Sequence, residues 1–282
     1  MNYRHAFHAG NFADVFKHTL LIDLLEALKA KPAPFCYVDT HAGRGLYDLR
    51  SAEAQQTREH RDGVQRVLGA GGLPPSLQRY VDLIRGFADE PGPLATYPGS
   101  PLIAAQLMRE DDRAILCELQ PAEAAALRTA LHGDRRLVVH QRDGYEALGA
   151  LLPPAQKRGL VLVDPPYEAQ VGEYALIQDA LDASLARWPN AIHAIWYPIK
   201  LRETIVPFHR WLRGRGGADG ALVAELLLHP DNTMLRLNGC GIAILNPPWQ
   251  FDRTLAAWLP ALEGLLAQGR YGRSRVEMLK AA

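Results

Sequence analysis

The sequence predicts an α/β protein whose core is a mostly parallel sheet covered by helices on both faces. After residue 93, short apolar runs alternate with helical segments, and the apolar runs are uninterrupted, as in strands that are buried on both faces. The predicted strands cover residues 114–117, 137–140, 160–163 and 192–196, and the helices lie near residues 121–131, 144–151 and 174–187.

The first part of the chain predicts one helix, one strand and an insertion. Apolar residues recur at helical spacing over residues 11–30, and a buried strand over 35–38 ends at Asp39. Two polar, Arg-bearing helical stretches (51–68 and 76–88) follow. We therefore expect a helical subdomain at 50–92, inserted into a Rossmann-like domain made of residues 1–49 and 93–282.

The composition is that of a folded cytosolic protein. The chain has 282 residues, of which 48% are hydrophobic and 22% charged, which argues against disorder. Three scattered cysteines are too few for a disulfide framework, and the polar N-terminus is unlike a secretion signal. The net charge of +0 argues against polyanion binding by bulk charge alone. Arg outnumbers Lys, which fits either nucleic-acid binding or a GC-rich genome.

Acidic residues follow three of the predicted strands. Asp39 opens the glycine-containing loop 39–45, Glu118 ends the next strand, and Asp143-Gly144 ends the third. Ligands of open α/β sheets lie at such strand ends, and a carboxylate can accept hydrogen bonds from ribose hydroxyls or an adenine amine. Asp143 also suits a helix N-cap. Taken together, the three strand ends favour a nucleoside pocket.

The fourth predicted strand runs into Asp-Pro-Pro-Tyr at 164–167. This motif resembles the one that amino-group methyltransferases use with S-adenosylmethionine. Asp164 and the Pro165 carbonyl can accept the two N–H bonds of an exocyclic amine, which would aim its lone pair at the methyl group. Tyr167 can stack on a base that has left its helix. The alternative is that the motif is a rigid Pro-Pro turn with no role in catalysis.

A second, similar motif stands near the C-terminus. Asn-Pro-Pro-Trp at 246–249 follows the apolar run 241–245, which we expect to pair antiparallel with 222–228 at a sheet edge. We interpret Asn246 as structural, because its strand is the last one predicted and Asp164 follows the strand that belongs beside the first. His5, His8 and His18 lack the spacing of a compact metal site, so no metal is predicted.

Four segments together closely resemble the RlmJ family, which methylates N6 of one adenine in 23S ribosomal RNA. They are residues 3–18, 39–45, 97–101 (Tyr-Pro-Gly-Ser-Pro) and 164–168. The resemblance implies a class I S-adenosylmethionine-dependent methyltransferase with a small inserted helical subdomain, and Asp164 as its catalytic residue. It also implies that Tyr3 lies at the mouth of the base pocket. The cofactor would be held by Lys17, His18, His41, Ser100, Glu118, Asp143, Gly144 and Asp164.

The expected partner is 23S rRNA, protein-free or early in ribosome assembly, bound by a cytoplasmic monomer that does not contact membranes. Arginines of the insertion (Arg58, Arg61, Arg66 and Arg79) either extend the RNA-binding face or form a solvated helical face. The alternatives are rRNA guanine-N2 or DNA adenine-N6 methylation, a dinucleotide oxidoreductase and a non-catalytic RNA-binding module. Asp48 stands where the dinucleotide fingerprint needs a third glycine, which disfavours the oxidoreductase.

Overall fold

A computed structural model describes residues 4–88, 94–167, 170–215, 220–234, 236–267 and 269–280. The strands are β1 (Phe35–Asp39), β2 (Leu46–Asp48), β3 (Thr96–Pro98), β4 (Arg113–Cys117), β5 (Leu137–His140), β6 (Arg158–Val163), β7 (Ile192–Ile199), β8 (Ala221–Leu227), β9 (Gly239–Leu245) and β10 (Arg273–Leu279). The α-helices are α1 (Phe12–Lys29), α2 (Ala52–Thr57), α3 (Glu59–Asp62), α4 (Val64–Leu68), α5 (Pro75–Arg85), α6 (Ser100–Leu107), α7 (Pro121–Ala130), α8 (Gly144–Leu151), α9 (Gln170–Arg187), α10 (Val206–Leu212) and α11 (Phe251–Leu266). Short 3₁₀ helices cover His5–Phe7 and Arg202–Thr204.

Eight of the strands form one sheet, in the order β10-β8-β9-β7-β6-β1-β4-β5. β1 pairs in parallel with both β4 and β6. The chain therefore builds one half of the sheet outward from β1 and then returns to β6 to build the other half. The carboxyl ends of β1 and β6 lie side by side at the point where the strand order reverses, which is where open α/β sheets bind ligands.

The sheet is covered on both faces, as the uninterrupted apolar strands predict. Alternate residues of one strand face opposite layers: Tyr37 belongs to the core beneath α1, α6 and α11, whereas Cys36 and Val38 belong to the core beneath α8, α9 and α10. The predicted α/β fold class, a mostly parallel sheet covered by helices on both faces, is thus confirmed.

The sequence missed elements at the C-terminal end. The runs 222–228 and 241–245 do pair antiparallel, as β8 and β9, but the prediction that they form a sheet edge was wrong. β9 lies between β7 and β8, and β10 pairs with β8 as the outer strand, so β9 is not the last strand either. β10 carries alternating charges at Arg273, Arg275 and Glu277, a pattern typical of exposed edge strands that lack an apolar run. Helices α6, α10 and α11 were not predicted.

The chain segment that forms helices α2–α5 begins and ends at neighbouring positions in the fold. β2 and β3 pair antiparallel on either side of them, and the Leu49 amide donates to the Ala95 carbonyl at 2.8 Å. Apolar side chains of this segment, such as Tyr80 and Ile84, are fully buried in the same core as α1. The segment lies against the sheet domain, and its role as a separate subdomain stays a prediction.

Candidate active site

A cavity of about 1280 Å³ opens at the carboxyl ends of the parallel strands. Every described residue of the predicted catalytic and cofactor set lines it: Lys17, His18, His41, Ser100, Glu118, Asp143, Gly144, Asp164, Pro165 and Tyr167. The strand order explains this convergence, because β1, β4, β5 and β6 are neighbours whose carboxyl ends share one edge. Tyr3, the predicted base-pocket residue, lies outside the described residues, as does Glu168 of the family motif.

The loop after β1 closes onto Glu118. The Gly43 amide donates to Glu118 Oε2 at 2.9 Å, and the Gln120 amide donates to Oε1 at 2.7 Å. Gly43 has φ +64, which a residue with a side chain rarely adopts. Burial raises the pKa of Glu118, and the backbone donors partly oppose that rise. The pairing joins two residues that are 75 positions apart, and each carboxylate oxygen keeps a lone pair for a hydroxyl.

Asp143 caps a helix and lines the cavity at the same time. Its Oδ1 accepts from the amides of Tyr145 and Glu146, at 2.8 and 3.2 Å, at the start of α8. The capping alternative raised by the sequence is therefore correct, and it leaves Oδ2 for a further donor. Gly144 approaches the first strand closely, since a Cβ there would lie 2.0 Å from the Thr40 carbonyl oxygen.

Asp39 and Ser100 form a buried pair at the end of β1. Asp39 Oδ2 accepts from Ser100 Oγ at 2.7 Å and from the Tyr37 hydroxyl at 2.6 Å. Burial raises the pKa of Asp39 to about 6, against the lowering effect of these hydrogen bonds. The 97–101 segment reaches this place because the Gly99 amide donates to the Gly45 carbonyl at 2.6 Å.

An ion-pair chain links the N-terminal helix to the Asp-Pro-Pro-Tyr loop. Lys17 Nζ donates to Asp164 Oδ2 at 2.6 Å and lies 2.9 Å from Asp14 Oδ1. Burial alone lowers the pKa of Lys17, but Asp14 and Asp164 together raise it well above its usual range. The ammonium thus stays charged and fixes one oxygen of Asp164.

Asp14 was not among the predicted site residues. It is 2% exposed, and its Oδ2 contacts His5 Nε2 at 2.9 Å and accepts from the Gly10 amide at 2.9 Å. Burial raises the pKa of Asp14, but His5 and Lys17 more than reverse this and hold it well below its usual range. The available signal was its position three residues before Lys17, which puts both side chains on one helix face.

Two histidines of the predicted cofactor set are held neutral. Burial lowers the pKa of His18 to about 3, and its Nδ1 lies 2.8 Å from the Tyr97 hydroxyl. Burial lowers the pKa of His41 to about 4, and its Nδ1 lies 2.8 Å from Thr40 Oγ1. At neutral pH these rings can offer an N–H group or a lone pair, but not a positive charge.

Aromatic side chains form the wall beyond Asp164. Tyr167 adopts φ 52, and its hydroxyl donates to the Trp196 carbonyl at 2.8 Å. Its ring packs edge-on against Tyr174 and Trp196, with centroids 5.5 and 5.7 Å away. A left-handed conformation at a bulky residue is costly and is typical of functional sites. The hydroxyl bond and the ring contacts fix Tyr167 in this position.

Asn246 lies on the side of the sheet away from the cavity, at the amino ends of the parallel strands. Its Nδ2 donates to the carbonyls of Pro189 and Ala191, both at 2.8 Å, just before β7 begins. Since β9 runs antiparallel to β7, its end meets the amino ends of the parallel strands. The interpretation of the 246–249 motif as structural agrees with this placement.

No group of three or more His, Cys, Asp or Glu residues in the described ranges is arranged to hold a metal ion. Within the same ranges, no helix is long and apolar enough to cross a membrane.

Comparison with known proteins gives one family model, two relatives and one crystal structure that are similar to this chain. A family model described as "Ribosomal RNA large subunit methyltransferase D, RlmJ" matches residues 32–279. Ribosomal RNA large subunit methyltransferase J of Escherichia coli and that of Haemophilus influenzae are each 38% identical over 279 residues, which cover 99% of this chain and 99% of either relative. A crystal structure of a Legionella pneumophila protein is similar with a TM-score of 0.87 and 34% identity, covering 96% of this chain and 98% of that one.

Proposed function

The chain belongs to the RlmJ family of ribosomal RNA large subunit methyltransferases, and we propose that it transfers a methyl group from S-adenosylmethionine to N6 of one adenine in 23S rRNA. The observation that carries the proposal is the Asp-Pro-Pro-Tyr loop at the end of β6, beside β1, in the same cavity as the predicted cofactor residues. We place the reaction in the cytoplasm, on free or partly assembled rRNA, with the protein acting as a monomer.

The donor set of the cavity suits the cofactor. Glu118 would accept from the ribose hydroxyls and Asp143 Oδ2 from the adenine amine. The backbone at Gly144, where α8 begins, lies directly against the loop after β1, since a Cβ there would lie 2.0 Å from the Thr40 carbonyl oxygen. Ser100 and the neutral rings of His18 and His41 would complete the lining, and Lys17 is the cation nearest Asp164. When bound, S-adenosylmethionine supplies an electrophilic methyl group.

The chain's own groups would orient the amine. In the extruded base, one N–H of the exocyclic nitrogen would donate to Asp164 and the other to the Pro165 carbonyl. Lys17 already occupies Asp164 Oδ2, so Oδ1 is the oxygen left for the amine. Such orientation is worth about 7–11 kcal/mol when the reacting atoms are well aligned. Asp164 then takes the proton that becomes acidic as the N–C bond forms.

Stacking on Tyr167 would offset part of the free energy that extruding the base costs. Unstacking a base costs a few kcal/mol, and stacking on an aromatic ring recovers roughly 1–3 kcal/mol. Its fixed hydroxyl and edge contacts support this role, because a ring that is already ordered loses little entropy on binding. We also assign base contacts to Tyr3, on the resemblance alone.

Four arginines of the insertion differ in whether they can contact RNA. Arg79 pairs with buried Asp23 at 3.1 Å, and Arg66 donates to the Leu266 carbonyl at 3.4 Å, so both hold the fold together. Arg58 and Arg61 are exposed and are the better candidates for RNA contacts.

The test uses isotope-labelled S-adenosylmethionine and protein-free large-subunit RNA that lacks the modification. We expect one labelled N6-methyladenosine on nucleoside mass spectrometry, and a loss of at least about 100-fold in Asp164→Ala. Asp111→Ala is the matched control, since this exposed aspartate precedes β4 at the opposite edge of the sheet. Labelled guanosine would move the enzyme to another base, and no transfer to RNA despite cofactor binding would point to DNA or protein.

A further inference from the structure

Five Lys and Arg side chains from the described ranges line the cavity, and they differ in their partners. They are Arg4, Lys17, Arg44, Lys200 and Arg236. The first three have carboxylates within 4.0 Å: Glu53 at 3.6 Å, Asp164 at 2.6 Å and Glu123 at 2.7 Å respectively. Lys200 and Arg236 have none among the described residues. Two cations therefore face the cavity with their charge available.

These two cations lie on one side of Asp164. Lys200 directly follows β7, and Arg236 lies in the loop between β8 and β9. In the sheet order, β7, β9 and β8 lie on one side of β6, whereas β1, β4 and β5, which carry the predicted cofactor residues, lie on the other. The Asp-Pro-Pro-Tyr loop separates the two sets. The side of the cavity with Lys200 and Arg236 is thus the side next to Tyr167 and Trp196, where a base would enter.

One buried asparagine links the Arg236 side chain to the backbone of Lys200. Asn238 is fully buried, and its Nδ2 donates to the Lys200 carbonyl at 2.7 Å. Its Oδ1 accepts from Arg236 Nε at 3.1 Å, and its backbone amide donates to the Ile199 carbonyl at 3.0 Å. The loop that carries Arg236 is therefore tied to the end of β7.

Arg202 holds the same loop through a second set of contacts. Arg202 Nε donates to Asp231 Oδ2 at 2.7 Å, and its Nη1 donates to both oxygens of Glu225 at 2.8 Å. Glu225 is fully buried in β8, and the hydrogen bonds from Arg202 compensate for its loss of solvent. Asp231, Arg236 and Asn238 are thus held in place before an anion binds, so that binding there costs little conformational entropy.

We infer that Lys200 and Arg236 bind the phosphates of the RNA strand on either side of the target nucleotide. The inference rests on the proposed function and adds a binding surface to it. Phosphates are the anions that accompany every extruded nucleotide, and contacts to them set the position of the strand without reading its sequence. The half-buried Lys200 supplies a compact point charge, and the exposed Arg236 supplies a planar fork whose Nη groups have no hydrogen-bond partner among the described residues and can donate to phosphate oxygens.

The experiment compares the wild type with the double variant Lys200→Gln/Arg236→Gln. The control is Arg210→Gln/Arg253→Gln, which removes two exposed cations that do not line the cavity and changes the net charge equally. Binding of unmodified large-subunit RNA is measured over a series of KCl concentrations. We expect the slope of log K against log[salt] to shrink by about 1.4 in the double variant, about 0.7 for each lost phosphate contact, and to change less in the control. The KM for RNA should rise about tenfold, with the affinity for S-adenosylmethionine unchanged by calorimetry.

Two results would overturn the inference. One is a double variant with the salt slope and KM of the control. The other is weaker S-adenosylmethionine binding with an unchanged salt slope, which would assign the two cations to the cofactor's carboxylate. The slope is measured without turnover, so it decides the inference separately from the proposed function. If the wild type transfers no methyl group to RNA, the proposed function fails, whereas a smaller slope in the double variant would still support phosphate binding.

Discussion

Some positions of the site have no room for a side chain, and Gly144 shows this most directly. It has no side chain at the point where α8 begins, and a Cβ would lie 2.0 Å from the Thr40 oxygen. That oxygen belongs to the loop after β1, which also carries His41 and Gly43. A substitution at Gly144 therefore acts on the loop, even though it adds only one methyl group.

We expect Gly144→Ala to destabilise the fold by about 1–3 kcal/mol, as overpacking does, and to weaken S-adenosylmethionine binding at least about tenfold. Gly149 in the same helix is the control, because no atom lies within 4 Å of the place that a Cβ would take there. Gly149→Ala should stabilise the protein by about 0.5–1 kcal/mol and leave cofactor binding unchanged. Thermal unfolding and calorimetry check both. Equal effects of the two substitutions would contradict the argument.

At this scale the sequence could predict which residues meet, but not how each is used. Asp143 offered either a cap or a ligand, and the structure uses one oxygen for the cap. Asp14 and its ion pair with Lys17 depend on burial, which spacing alone does not reveal. Lys200 and Arg236 belong to loops whose meeting depends on Asn238, so no local pattern could identify them.

At the scale of elements, strand direction decides which of two similar motifs can reach the cavity. Asp164 follows β6, which is parallel to β7, and Asn246 follows β9, which is antiparallel to it. The pairing His193↔Leu245 places Asn246 near the beginning of β7. The sequence supported the same conclusion from strand order, although β9 is neither the last nor an outer strand. Strands with continuous apolar runs were predictable, whereas the charged edge strand β10 was not.

We therefore expect Asn246→Ala to keep the methyl-transfer rate within about twofold of the wild type while lowering stability by roughly 1–3 kcal/mol. Two hydrogen bonds are lost, and a residue without a stabilising side chain must adopt φ 53. Asn246→Gly removes the amide but tolerates that φ, so it should be the more stable of the two. Single-turnover rates and thermal unfolding are the measurements. A loss of transfer as large as that of Asp164→Ala would assign Asn246 to the active site.

At the scale of the whole molecule, buried histidines link stability to pH. Burial lowers the pKa of His193 to about 4, and the same effect acts on His18, His41 and His209. His193 is satisfied as a neutral ring, with Nδ1 donating to the Ala191 carbonyl at 3.1 Å and Nε2 2.8 Å from Ser184 Oγ. An unfolded chain binds these protons near pH 6.5, whereas the folded chain resists them. The contribution of these rings to stability is therefore complete above pH 6.5 and falls as the pH drops towards 4.

For His193 alone, a shift from about 6.5 to about 4 corresponds to roughly 2 kcal/mol of lost stability at pH 5. Between pH 7 and pH 5, we expect the free energy of unfolding of the wild type to drop by about this amount relative to that of His193→Gln. The absolute stability of the variant at pH 7 will be lower, so the comparison concerns the slope. His132→Gln, on an exposed histidine, should keep the wild-type slope. Urea unfolding at several pH values measures both, and a His193→Gln slope equal to that of the wild type would show that this ring does not resist protonation in the folded state.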